Sequence, residues 1–160
     1  MEDYRVRPAA VEDSEDLIAL WLENGEYHRR LDPQYYQFRR TAGVEFGHYL
    51  HKALNDPNWR VLSGVTGEDE IVGLAIATLQ RRPPVMLEEW YGFIDTLIVS
   101  EDHRRQGLGR LLVEDLLQWF RGKSAPTVEL SMAAKNALGE KFWGAVGFET
   151  MLLRKVLKVS

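Results

Sequence analysis

Cysteine is missing altogether from the 160 residues. Without thiols the chain cannot form disulfides, attack a substrate through a thiolate, carry an acyl group as an enzyme thioester, or hold zinc or an iron-sulfur cluster through sulfur. Proline is sparse, at 6 residues, and no Pro-, Gly- or Ser-rich stretch is long enough to be a linker. Nor does any motif recur at a fixed period, so the chain reads as one domain over residues 1–160. Long apolar runs are missing too. The most apolar stretch, Ile71 to Leu79, falls far short of the ~20 residues of a membrane helix. The opening Met1 to Arg7 mixes charges with no apolar run behind it, unlike a secretory signal. These features predict a soluble, cytoplasmic protein with no membrane partner. An excess of positive charge is also lacking: 20 basic and 24 acidic side chains give a net charge of −4, which argues against a nucleic-acid partner held by phosphate contacts.

What remains is an ordinary globular composition, 45% hydrophobic and 28% charged, in a chain long enough to bury a real core. Tyr4 to Arg7 alternates like a strand and ends at Pro8. Asp13 or Ser14 can cap a helix carrying Leu17, Leu20 and Trp21 on one side. A second helical pattern runs from about Thr41 to Leu54 and stops at Asn55-Asp56-Pro57. The β-rich runs Trp59 to Thr66 and Ile71 to Gln80 flank the turn-forming Gly67-Glu68-Asp69-Glu70, a hairpin signal. Tyr91 to Val99 is a third strand. From Leu108 the period changes: Leu108, Leu111, Leu112, Leu116, Trp119 and Phe120 follow helical spacing up to Gly122. A strand over Thr127 to Met132, a helix over Leu138 to Val146 closed by Gly147, and a final strand over Met151 to Val159 complete the order. Strands pair early and alternate with helices late. The expected fold is therefore α/β (mixed α+β), a twisted mixed sheet of about six or seven strands with helices on both faces.

The junction between the third strand and the long helix is the most informative stretch. Ser100-Glu101-Asp102-His103 leads into Arg104-Arg105-Gln106-Gly107-Leu108-Gly109-Arg110. Two glycines at a helix start let successive backbone N–H groups converge where the helix dipole also favours an anion. The arginines add cationic partners. Neither the dinucleotide fingerprint nor the P-loop fits, because Leu112 stands where the first needs a small residue and no Gly-Lys-Ser/Thr is present. A second constellation follows the next strand: Asn136, Gly139, Phe142, Trp143, Gly147 and Phe148 in the order Asn-x-x-Gly-x-x-Phe-Trp-x-x-x-Gly-Phe.

Together these two motifs, spanning Tyr91 to Phe148, resemble those of the GNAT N-acetyltransferase superfamily. Its acetyl-CoA motif reads Arg/Gln-x-x-Gly-x-Gly/Ala and its next motif Asn-x-x-Ala-x-x-Phe-Tyr-x-x-x-Gly-Phe. The resemblance implies a single GNAT-like domain and acetyl-CoA as co-substrate. It also implies that Arg104, Arg105, Gln106, Gly107, Leu108, Gly109 and Arg110 meet the CoA pyrophosphate. Leu97 and Val99 would pair through their backbone with the pantetheine arm, Asn136 would hydrogen-bond it, Gly139 would let it pass, and Trp143 would stand beside it. An exposed edge strand near the C-terminus would suit a homodimer, again by analogy.

The chemistry can be argued apart from the resemblance. An acceptor amine near pKa ~10.4 must lose a proton before it attacks, the thioester oxygen gains charge that a backbone donor can stabilise, and the sulfur leaves more easily beside a donor. Asp95 is the preferred base, because strand alternation puts it on one face with Phe93, Leu97 and Val99. Glu89 and Glu88 are the runners-up. The family's tyrosine is replaced by Trp143, whose indole N–H can donate a hydrogen bond but cannot release a proton, so Tyr91, Tyr35 or Tyr36 would have to serve instead. The zinc-protease spacing is missing around Glu45, His48 and His51, and no metal is expected. The early aromatic cluster of Tyr27, Tyr35, Tyr36, Phe38, Phe46 and Tyr49 could wall an acceptor site for a small-molecule or peptide amine. Two other functions stay open at this point, a non-catalytic acyl-CoA-binding module and a phosphate or nucleotide binder of another fold.

Overall fold

The computed structural model describes residues 2–160. Its elements are β1 (Arg5–Pro8), α1 (Ser14–Leu31), α2 (Ala42–Leu54), β2 (Trp59–Val65), β3 (Ile71–Arg81), β4 (Trp90–Val99), α3 (Leu108–Gly122), β5 (Val128–Leu130) and α4 (Ala137–Val146). The five strands lie side by side in chain order. β1 to β4 form an antiparallel meander, whereas β5, reached through the crossover helix α3, runs parallel to β4. The β2–β3 turn closes as the sequence suggests: Thr66 N–H donates to Glu70 O at 2.9 Å, and Asp69 takes the left-handed conformation that aspartate tolerates, with φ 65°.

Alternation along β3 divides the core between two faces. Ala75 and Ala77 face α3, where Leu108, Leu112, Leu116 and Phe120 pack with Leu62 and Ile94. Leu74 and Ile76 point the other way, into Leu17 and Leu20 of α1 and Phe46 and Leu50 of α2. Helices thus cover both faces of a mixed sheet, as expected. No helix of the described residues is long and apolar enough to cross a membrane.

Three details differ from the sequence reading. Asp13 precedes α1 but does not cap it through its side chain. Its carboxylate instead accepts from Arg7 at 2.7 and 2.9 Å, from Ala10 N–H at 2.8 Å and from the Ser63 hydroxyl at 3.0 Å, tying the helix start to β1 and β2. The sheet has five strands rather than six or seven, because Met151 to Val159 forms no strand and lies exposed. β5 is the edge strand on that side, and nothing among the described residues pairs with its outer edge. Finally, the β3–β4 ladder steps between Ile76 and Ala77, whose partners are Thr96 and Ile94, so Asp95 has no residue opposite it. This is a β-bulge, and it breaks the two-residue period at that aspartate.

Candidate active site

The pairing of β4 with β5 ends at Ile94 opposite Leu130, while β4 continues to Val99. Past that point the β4 edge from Asp95 to Val99 has no strand partner, because the chain turns away after Leu130. A cleft of about 810 Å³ opens in the gap. Its walls are β4 from Ile94 to Val99, the segment Leu130 to Ala133, the start of α3, one side of α4, and aromatic residues of α1 and the loop after it.

One end of the cleft is the N-terminus of α3. Gly107 is its N-cap, in the left-handed region with φ 93°, and no side chain caps the helix. The first-turn N–H groups of any helix lack intrahelical acceptors, and here no acidic residue stands in that turn to meet them. Arg105 also has a positive φ of 63°, so the approach to the helix alternates in the way that makes backbone N–H groups converge. Open space lies where a Cβ on Gly107 would be, and Arg105, Gly107, Gly109 and Arg110 all line the cleft. Neither Arg105 nor Arg110 forms an ion pair among the described residues. Arg104 is engaged: its Nε donates to Val99 O at 3.0 Å and its guanidinium lies 5.3 Å from the centre of the Tyr27 ring. Two members of the expected cradle contribute no side chain to it. Leu108 is a core residue, 1% exposed, and the Gln106 side chain accepts from Tyr4 and donates to Asp102 O.

Along the opposite wall, Asn136 is the N-cap of α4, its side chain accepting from Gly139 N–H at 3.0 Å and from the Tyr27 hydroxyl at 3.3 Å. Its Oδ1 is therefore occupied and its amide N–H groups remain to donate. Gly139 has a local reason for its identity, since a Cβ there would sit 2.6 Å from Asn136 Nδ2. A side chain here would oblige the capping Asn136 side chain to shift, whether or not a ligand passes. Trp143 packs edge-on against Phe142 and Phe148, at 5.0 and 5.2 Å, and leans on the α3-side core. α4 is loosely covered, with Leu138 60% exposed and no residue of the helix fully buried.

Asp95 lies where the cleft meets a second cavity of about 470 Å³ walled by α1, α2 and the loop between them. The bulge turns it away from the face that alternation predicted. Leu97 and Val99 pack on the α3 side, whereas Asp95 Oδ2 accepts from the Tyr49 hydroxyl of α2 at 2.7 Å and from the Thr96 hydroxyl at 3.0 Å. Burial, with the carboxylate beside it, pushes the Tyr49 phenol far up, so it stays protonated and holds the aspartate in place. Asp95 itself is exposed rather than enclosed by Phe93 and Ile94.

The other acid and base candidates are engaged elsewhere. Glu89 pairs with Arg81 at 3.1 Å, and Glu88 binds Arg82 and Thr127, both at 2.7 Å. Tyr91 donates to Gln80 at 2.7 Å at the opposite end of β4. Tyr35 is 61% exposed and outside the cleft. Tyr36 and Tyr27 do line it, and burial raises the Tyr36 phenol first, with Tyr35 and Asp32 adding to the effect. Tyr49 was visible in the sequence only as a member of an aromatic cluster, because its link to Asp95 spans 46 residues and depends on the bulge.

Comparison with known proteins agrees with this arrangement. The sequence model of the Acetyltransferase (GNAT) family matches residues 15–148. A curated protein described as an uncharacterized N-acetyltransferase, YobR of Bacillus subtilis (strain 168), is 27% identical over 64 residues, 40% of this chain. That match spans about a quarter (26%) of the relative's own length. Among solved structures, a mutant of the BH1408 protein from Bacillus halodurans superposes with a TM-score of 0.86 at 21% identity, over 98% of this chain and 99% of that one. The aminoglycoside 6'-N-acetyltransferase AAC(6')-Ih from Acinetobacter baumannii gives 0.75 at 14% identity, over 99% of both chains. The aminoglycoside N-acetyltransferase AAC(6')-Iy, solved in complex with CoA, gives 0.74 at 15% identity, over 99% and 96%. At such identities the structural likeness speaks for the fold.

Proposed function

Because the chain belongs to the GNAT acetyltransferase family, we propose that it moves an acetyl group from acetyl-CoA directly to a primary amine of a small molecule, in a ternary complex and without a metal. One observation carries this reading: an uncapped helix N-terminus flanked by unpaired arginines opens into the gap beside β4, and Asp95 stands in the same cleft. The residues fit the co-substrate. The amides from Gln106 to Arg110, with Arg105 and Arg110, hold a diphosphate. The unpartnered β4 edge offers backbone groups to an amide-bearing arm, and Asn136 donates to it through Nδ2.

Asp95 binds the acceptor as its ammonium through Oδ1, which has no hydrogen-bond partner among the described residues. A carboxylate is a weak base beside an amine of pKa ~10.4, so its first task is to hold and aim the cation. The bound ammonium first gives one proton to solvent by way of Asp95, which frees the nitrogen lone pair to attack; as the N–C bond forms the nitrogen becomes acidic and a second proton passes to Asp95, then to solvent. The C–S bond breaks and the thiolate, pKa ~8.5, takes a proton. Tyr36 is the proton donor we assign to that sulfur, since its phenol lines the cleft and can release a proton, whereas the Trp143 indole N–H can only donate a hydrogen bond.

The test is CoA-thiol release from acetyl-CoA with an amine panel. Release that depends on the amine is expected. Saturable acetyl-CoA binding with no release across the panel would support the non-catalytic module instead. Gly107→Glu, which puts a carboxylate into the cradle, is expected to weaken acetyl-CoA binding at least tenfold by calorimetry. Asp95→Asn should leave that binding alone and lower kcat by roughly 10²-fold or more. Unchanged affinity in Gly107→Glu would remove the cradle from this position.

We also infer that two copies associate through the segment after α4. Met151, Leu152, Leu153, Val156, Leu157 and Val159 are all 66 to 88% exposed, and the outer edge of β5 has no strand partner among the described residues.

A further inference from the structure

The second cavity, between α1, α2 and β4, differs in character from the cleft it joins. Its walls are aromatic: the Trp21 and Phe46 rings stack 4.6 Å apart with planes 6° from parallel, Phe38 stands edge-on to Trp21 at 5.7 Å, and Tyr49 continues the wall from Phe46 at 5.8 Å. Two carboxylates line it, Asp95 and Glu45, together with one guanidinium, Arg39. Along the neighbouring cleft Asp95 is the sole carboxylate, against Arg104, Arg105, Arg110 and Lys141. The acidity of the whole chain, net −4, is therefore spent elsewhere on the surface.

We propose that this cavity takes a monocationic amine carried on a flat apolar body, of the arylalkylamine class, rather than a polycationic aminosugar. The inference rests on the acetyl-transfer reading above and narrows its acceptor. Flat aromatic faces attract apolar rings and a single cation, and Asp95 meets that cation at the mouth of the cleft. An aminosugar would bring several ammonium groups and many hydroxyls to largely aromatic walls, where two carboxylates against the Arg39 guanidinium leave a net charge that balances one ammonium and no more. The structural likeness to aminoglycoside acetyltransferases, at 14 and 15% identity, shows the fold and brings no acceptor to this pocket. The transfer itself is the one written above, with one N–C bond made, one C–S bond broken, and amide, CoA thiol and a proton as products.

The experiment compares 2-phenylethylamine with tobramycin, both as acceptors and as ligands of the protein without acetyl-CoA. At least a tenfold higher kcat/KM and tighter calorimetric binding are expected for phenylethylamine. Phe38→Ser, at a side chain 45% exposed and so outside the core, should raise the phenylethylamine KM about tenfold while acetyl-CoA affinity stays as it was. Arg39→Glu should shift the preference toward tobramycin. Faster CoA release with tobramycin, or equal binding of the two amines, overturns the proposal while leaving acetyl transfer standing. Failure of acetyl-CoA to bind removes the transfer reading instead, and the amine binding still decides the nature of the pocket.

Discussion

Asp13 and Asp95 show how differently two aspartates can serve one small domain. Asp13 is 7% exposed and accepts hydrogen bonds from Arg7, the Ala10 amide and Ser63. The Arg7 guanidinium above all holds its carboxyl down, from 3.8 to about 2. A carboxyl whose folded pKa is depressed stabilises fully above its unfolded value and loses that contribution as the pH falls through the folded one. The window here is about pH 4 down to about pH 2, and the amount about 2–3 kcal/mol. Asp13→Asn is expected to lose roughly that much in urea unfolding at pH 7, and the gap to wild type should close at pH 2. A gap that persists unchanged at pH 2 would mean the carboxylate's charge is not what matters. Glu26 is held as low by Arg29, yet that pair lies on an exposed helix face where water screens it, so Glu26→Gln should leave the melt almost unchanged. Asp95 is exposed, so under the role proposed for it Asp95→Asn is expected to lower turnover and leave the urea midpoint nearly unchanged.

Elements were legible wherever a local period sets them. The 3.6-residue spacing of α3 and the hairpin turn at Asp69 emerge as the sequence suggests, and so does the glycine closing α4, because each depends on residues within a few positions. The bulge at Asp95 was not legible: it is a property of the register against β3, not of the β4 sequence, and one extra residue reassigns a catalytic candidate to the other face. The short β5 depends on distant residues as well. Arg82, in the loop entering β4, donates to Glu88 at 2.7 Å and Thr127 at 3.1 Å, contacts Glu129 of β5, and lies 4.0 Å from the centre of the Tyr91 ring. All three charged side chains are less than a quarter exposed. Removing the cation leaves two carboxylates facing each other, so Arg82→Ala should cost about 2–3 kcal/mol, somewhat below the loss for a fully buried pair. Hydrogen exchange should quicken first at Gly92, whose N–H donates to Thr127 O at 2.8 Å, and along β5. Uniform acceleration over the whole sheet would show instead that β5 unfolds only with the rest. Because β5 forms one lip of the cleft, acetyl-CoA affinity should fall along with it.

At the scale of the whole molecule, the apolar segment from Met151 to Val159 reads as a strand in the sequence but forms none, because a strand needs a partner and no edge among the described residues takes it. A run with so many large side chains in water carries a free-energy cost that pairing relieves, at about 25 cal/mol for each Å² of apolar surface covered. In the proposed pair, the open edge of β5 would offer its unpaired backbone donors and acceptors to this segment of the second copy. The segment is cationic, with Arg154, Lys155 and Lys158 and no acid. Light scattering on the purified chain at micromolar concentration should therefore give the mass of two chains. A version ending at Thr150 should give one, and Leu153→Asp with Leu157→Asp should do the same without shortening the chain. Covering α4 from outside would also steady the wall that carries Asn136, so the single-chain forms should bind acetyl-CoA more weakly than the pair. A wild-type mass of one chain at every concentration tested would mean the segment folds back on its own copy, and its amides would then be protected from exchange with no dependence on dilution.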